Sequence, residues 1–213
     1  MSESALLTSV TLSSQVKNHI LNLIAEQKLT PGMPVPSEVQ LIQKLGVSRG
    51  IVREAYRSLA ALGILETHSG KVPRIKKFDD EVLRVVFGFA LATEQVTTEQ
   101  ILQVRRWLEL GVVEAAARNG EEEDFANLRA EMAKIREQFN DVESFITHDI
   151  RFHQLLAVAS KNPLFMMLLQ ALHQQLRQSI QEGLNAQSDQ KEYGNHIITL
   201  HQKICDAVCA RDV

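Results

Sequence analysis

Cysteine is nearly missing from this 213-residue chain. Cys205 and Cys209 are the two present, four apart in a helical pattern, which excludes a disulfide scaffold and reads as reduced packing residues. No apolar run approaches the roughly 20 residues of a membrane-spanning helix. The first residues, Met1 to Ala5, lack the basic start and apolar stretch of a secretory signal, so the expected location is cytoplasmic. A glycine-rich phosphate loop and internal repeats are lacking too. Proline is scarce, and three of the five prolines crowd into residues 29–36, marking a loop.

What is present is ordinary for a globular protein: 45% hydrophobic and 23% charged residues. The net charge of −3 conceals an asymmetry. Residues 1–78 carry ten Lys and Arg against five Asp and Glu, whereas the remainder carries thirteen against twenty-one. A basic module that meets a polyanion, joined to an acidic one that does not, is the reading this favours.

Apolar spacing at Val16, Ile20, Leu23 and Ile24 predicts a helix over 13–28, started by Ser13 or Ser14. A short helix follows from Pro36–Ser37 to a stop at Gly46. Another, capped by Ser48, runs to about Leu62 and ends at Gly63. The β-prone stretches 64–67 and 72–75, with Ser69-Gly70 between them, predict a small hairpin. Helices are expected thereafter over 80–92, 97–118, 122–138, 141–159, 163–186 and 190–212, with a capping box at Thr97 and Gln100 and a start at Asn162-Pro163. The fold class is therefore mainly α: a winged helix-turn-helix over residues 10–77, then an all-α helical bundle over 79–213.

The two short helices suit a helix-turn-helix. Gly46 supplies the turn, and Leu41, Leu45, Val47, Val52 and Ala55 fall on the facing surfaces. Ser48, Arg49, Arg53 and Arg57 take the start and outer face of the second helix, the three arginines forming one stripe at successive i, i+4 positions. Such a stripe suits a recognition helix in the major groove of double-stranded DNA.

In the bundle, four polar residues interrupt apolar seams. Asp149 and His153 lie one turn apart within Phe145, Phe152 and Leu156; His201 interrupts Ile197, Ile204 and Val208; Arg105 interrupts Ile101, Leu108 and Val112. An unpartnered buried charge costs several kcal/mol, and grouping such residues around a metal or an anion removes that cost. Separate hydrogen-bonded core residues remain an open reading of the spacing alone.

Residues Pro31-Gly32, Pro36-Ser37-Glu38, Leu45 to Arg49, Val52 to Ala55, Leu59 and Leu62 to Ile64 closely follow the pattern of the GntR family of bacterial regulators, which this segment resembles. The resemblance implies DNA contacts from Ser48, Arg49 and Arg53, and from Ser69, Gly70 and Lys71 at the wing. Val39, where the family often has a phosphate-binding arginine, and Ile42, where a small residue is usual, depart from it. Arg105 to Glu109 followed by Ala115 to Ala117, Asp149 to His153, Asn162-Pro163, and His201 eleven residues before Asp212 resemble the FCD ligand-binding domain of the FadR subgroup.

That second resemblance implies a divalent metal (zinc, nickel or manganese) on Asp149, His153 and His201, and a small organic acid effector bound through Arg105. The family's fourth histidine falls beyond Val213, so the domain is expected to lack its last helix and the site to have three protein ligands. The function expected is a homodimeric regulator, a repressor, whose affinity for its operator is controlled by the acid. Two further readings stay open: a DNA-binding regulator with a purely structural dimerisation domain, and a metalloenzyme, for which no separate general base is found on the same seam.

Overall fold

The computed structural model describes residues 11–139, 141–172 and 190–212. They fall into two compact units, Met1–Val82 and Leu83–Val213.

The first unit packs three helices, α1 (Leu12–Glu26), α2 (Glu38–Leu45) and α3 (Arg49–Ala61), with strands β1 (Leu65–Glu66) and β2 (Arg74–Ile75). The cap of helix α1 lies two to three residues before the serines that suggested it: it is Thr11, its Oγ1 accepting from the Ser14 backbone N–H at 3.2 Å. Ser37 and Gln40 form a reciprocal capping box on α2, and Ser48 caps α3. Gly46 turns the chain between α2 and α3 in the left-handed conformation, at φ 65°, as a tight turn requires. Gly63 ends α3 the same way: its N–H reaches the Ala60 carbonyl and that of Ile64 reaches Leu59, a Schellman stop.

Val16, Ile20, Leu41, Val52, Ala55, Leu59 and Leu65 make the buried core of this unit. Ile42 packs against it, so the larger residue at that position is absorbed by packing, whereas Val39 is exposed. The hairpin is shorter than its β-prone stretches. Leu65 pairs with Ile75 and Glu66 with Arg74 in antiparallel register, and the next position on the second strand is Pro73, which has no N–H to donate. The Pro73 carbonyl instead accepts from Val35, and Pro34 bridges to Arg74.

The second unit is helical: α4 (Glu81–Ala92, entering from the first unit), α5 (Thr98–Asn119), α6 (Glu122–Glu137), α7 (Val142–Ala159), α8 (described over 163–172) and α9 (Gln190–Cys209). Thr97 and Gln100 form the capping box that opens α5, and Asn162 Oδ1 accepts from Leu164 N–H at the start of α8. The expected helix 163–186 lies outside the described residues from 173 onward.

Helix α6 supplies Phe125, Leu128, Met132 and Ile135 to the core. They pack with Ile146, Phe152 and Leu156 of α7, Ala116 of α5 and Cys205 and Val208 of α9. Each such large side chain contributes about 1.5–3 kcal/mol by leaving water. Through these contacts α5, α7 and α9 are held side by side, with Arg105, Asp149 and His201 all buried.

Candidate functional site

In the first unit the basic face of α3 is open. Ser48, Arg49, Arg53 and Arg57 are exposed, as are Ser69, Gly70 and Lys71 at the tip of the hairpin. Arg53 and Arg57 share with Ser69 to Lys71 a groove of about 540 Å³, into which Val39 also faces. Its wall is fixed by Tyr56, whose hydroxyl donates to the Pro36 carbonyl and whose ring is buried. Burial and the charge of Glu38 both push the Tyr56 phenol upward, so it stays a neutral donor. Glu38 also lies 3.8 Å from Arg53, an exposed pair whose attraction is mostly screened by solvent.

In the second unit, one turn of α7 and one position of α9 meet. His201 Nε2 lies 2.9 Å from Asp149 Oδ1, and His153 Nε2 lies 4.0 Å from the same oxygen. One donor atom from each of Asp149, His153 and His201 falls within 4.8 Å of the others. Phe152 walls the site, its ring centroid 5.2 Å from that of His201.

The outer nitrogen of the His201 ring is held by a hydrogen bond. His201 Nδ1 lies 2.9 Å from the Ile197 carbonyl, which can only accept, so that nitrogen carries the proton. In the neutral ring Nε2 then presents a lone pair to a carboxylate. Despite its 2.9 Å approach, this buried nitrogen is not aligned for a hydrogen bond with Asp149. Two electron-rich atoms facing each other out of water call for a positive charge, either a second proton on the ring or a metal ion.

The titration of the site has the same cause. Burial alone would raise the Asp149 carboxyl, but the close approach of His201 and the charges of His153 and Arg105 outweigh it and hold the group at about 2. Burial would lower His201, yet Asp149 and the Ile197 carbonyl bring it above the ordinary histidine value. For His153 burial dominates and the value is depressed, leaving a neutral ring able to ligate. One carboxylate and two imidazoles are a donor set that fits zinc, nickel or manganese.

Arg105 opens onto the same place. With Glu109 and His153 it lines a cavity of about 390 Å³ whose remaining wall is largely apolar, including Val112, Leu156, Leu169 and Ile204. Arg105 is 8% exposed, and its Nε lies 2.7 Å from Glu109 Oε1. The same oxygen lies 3.1 Å from His153 Nδ1. Glu109 is a neighbour of the site that the seam reading passed over. The signal for it is its i, i+4 spacing from Arg105, which in a sequence looks the same as a surface ion pair.

Residues 12–74 match the family described as "Bacterial regulatory proteins, gntR family", and residues 100–213 match the FCD domain. YcbG of Bacillus subtilis, an uncharacterised HTH-type transcriptional regulator, is 29% identical over 95% of this chain and 82% of its own length. LutR of B. subtilis, an HTH-type transcriptional regulator, is 29% identical over 88% and 86%. The HTH-type transcriptional repressor NanR of Cronobacter sakazakii is 28% identical over 94% and 78%. Among solved structures, a Streptococcus agalactiae GntR protein superposes with a TM-score of 0.65 at 25% identity, over 94% of this chain and 91% of that one.

Proposed function

The chain belongs to the GntR family of DNA-binding transcriptional regulators with an FCD domain, and is not an enzyme, and from that premise we propose that it is a repressor released from its operator by a small organic acid. Residues 10–77 are the DNA-binding domain and 79–213 the effector-binding and dimerisation domain. Helix α3 enters the major groove, with Arg49 and Arg53 reaching base edges or phosphates. Ser48 and the N-terminus of α3 face the backbone, Arg57 adds charge along the helix, and Ser69, Gly70 and Lys71 approach from the wing.

The effector domain holds a divalent ion on Asp149, His153 and His201, and Arg105 binds the carboxylate of the acid in the adjoining cavity. The observation that carries this reading is the meeting of His201 with Asp149 at 2.9 Å, from helices distant in sequence, with an unaligned buried nitrogen between them. A bound cation satisfies that nitrogen and supplies a positive centre for an anionic ligand. Arg105 orients the acid, and the apolar wall keeps water from the contact.

The regulator works as a cytoplasmic homodimer on a short palindrome, because a single winged helix-turn-helix reads too few base pairs for useful specificity. Helices α4 and α5 each leave apolar residues in solvent, Val85 and Phe89 on one, Val104 and Trp107 on the other, and these suit a second copy of the chain. An acid that binds better to one spacing of the two recognition helices shifts the dimer toward that spacing and lowers operator affinity. No helix among the described residues is long and apolar enough to cross a membrane.

The test is a thermal-shift series with zinc, nickel and manganese, followed by short carboxylic acids on the metal-loaded protein. An ion at 100 times its Kd adds about 2.7 kcal/mol to stability. The Asp149→Asn and His201→Ala variants should lose the metal shift, and Arg105→Ala should lose the acid shift while still responding to metal. A parent chain whose melting temperature ignores all three metals and all acids tested would remove this reading.

A further inference from the structure

Glu109 touches both halves of the candidate site. Its Oε1 stands 2.7 Å from Arg105 Nε and 3.1 Å from His153 Nδ1. We infer that Glu109 is a positioning residue that fixes the tautomer of His153 for metal binding and aims Arg105 at the cavity, joining the ion and the effector arginine through a single oxygen. This rests on the metal-and-acid reading above and adds to it a part for a residue with no assigned role.

The physical case begins with the protons. A carboxylate accepts and does not donate, so the charge of Glu109, 3.1 Å from His153 Nδ1, favours the tautomer with the proton on that nitrogen. In that tautomer the lone pair is on Nε2, which is the nitrogen turned toward Asp149. The two histidines are biased toward the same tautomer by different means: the Ile197 carbonyl hydrogen-bonds His201 Nδ1, and the charge of Glu109 stands beside His153 Nδ1. A histidine ligand whose second nitrogen donates to a carboxylate is oriented and made more basic, and loss of such a partner costs about 10–100-fold in metal affinity.

The second half concerns Arg105. A buried guanidinium without a counter-ion is costly, and Glu109, one turn along α5, supplies one. The contact is made through Nε alone. The terminal nitrogens are left to meet an acid end-on, so Glu109 orients the arginine without consuming its outer edge. Because both contacts converge on one oxygen, a shift of Glu109 toward Arg105 when an acid arrives weakens its hold on His153, and the reverse. Metal and acid binding are coupled through this residue.

The experiment compares the parent chain with Glu109→Met, which keeps the volume and removes the acceptor, and with Glu109→Gln, which keeps an acceptor oxygen. Zinc, nickel and manganese affinities are measured by competition with a chromogenic chelator, with His201→Ala as the control that removes a ligand. The tautomer of His153 is read independently in metal-free protein from long-range nitrogen–proton correlations of the imidazole rings. The expected result is a 10–100-fold loss of metal affinity in Glu109→Met and less than about threefold in Glu109→Gln. The His153 signal in Glu109→Met should move away from the Nδ1–H pattern while His201 keeps its own.

Unchanged metal affinity in a folded Glu109→Met protein overturns the inference, as does an Nε2–H pattern for His153 in the parent, which needs no variant. A parent that binds none of the three ions, yet whose His153 tautomer depends on Glu109, overturns the metal reading and supports the positioning of His153.

Discussion

Arg211 lies over the ring of Phe125, its guanidinium carbon 4.9 Å from the ring centroid. The same group donates to the carbonyl of Gly120 at 2.8 Å, and at longer range to those of Ala117 and Arg118. The last carbonyls of a helix have no partner within it, and here a side chain from just beyond α9 supplies one for the end of α5. Arg211→Ala should therefore lower stability by about 1–2 kcal/mol, combining a charged hydrogen bond with a cation–π contact. Urea unfolding at neutral pH reads this directly. Arg211→Lys should recover less than half, because the ammonium cannot reach several carbonyls in a plane; an unshifted midpoint for Arg211→Ala would dismiss the clamp.

For DNA, Arg49 and Arg53 should outweigh any lysine. Each alanine variant is expected to lose about 1–3 kcal/mol of operator binding and relax sequence preference, if its contact is to a base edge. Lys71→Ala at the wing should weaken all sequences alike and reduce the salt slope by about one. Electrophoretic or anisotropy titrations at several salt concentrations separate the two patterns. Operator binding by both arginine variants at parental strength would mean that α3 does not dock as described.

Acid should expose the role of Asp124. Burial alone would raise its carboxyl, but Lys161 at 2.6 Å and the Glu121 backbone N–H at 2.8 Å outweigh that and depress it. A depressed value in the folded state means a contribution fully present above the unfolded value of about 4 and lost as the pH falls through the folded one. Asp124→Asn should thus be less stable than the parent at pH 7, with the gap closing below about pH 4. A gap that stays constant down to pH 3 would show that the ion pair contributes nothing.

Trp107 is the chain's one tryptophan and is 74% exposed in the single chain. If α5 pairs with a second copy, its emission should shift to the blue as protein concentration rises through the dimer dissociation range. Trp107→Asp should yield monomers by light scattering with the helical signal retained. Emission independent of concentration, together with a dimeric Trp107→Asp, would place the interface elsewhere.

How legible these features were in the sequence depends on the kind of signal. The seams through Asp149, His153, His201 and Arg105 were readable because a charged residue within an apolar stripe at helical spacing leaves it little choice of direction. Gly46 and Gly63 likewise marked their turns, since few other residues adopt a positive φ. The start of α1 was misread because Thr11, Ser13 and Ser14 all make good caps, and only the observed backbone selects Thr11. The hairpin was overextended because β-propensity took no account of the missing N–H at Pro73, although the proline itself was visible. Glu109 was hidden for a deeper reason: whether a glutamate four residues from an arginine faces solvent or a third group depends on α7, and nothing in α5 records that.

The thiols carry a practical consequence. Cys205 is buried and its thiol is pushed up to about 12 by burial, while Cys209 is half-buried with its sulfur toward the Phe125 carbonyl. The DNA-binding unit has no cysteine at all. A cysteine introduced at Ser69 would therefore be the one readily labelled thiol there, and in a symmetric dimer a spin label at that position gives one distance per molecule. Pulsed dipolar spectroscopy on such a sample measures the span between the two wing tips, and how an acid changes it, without a crystal and without DNA.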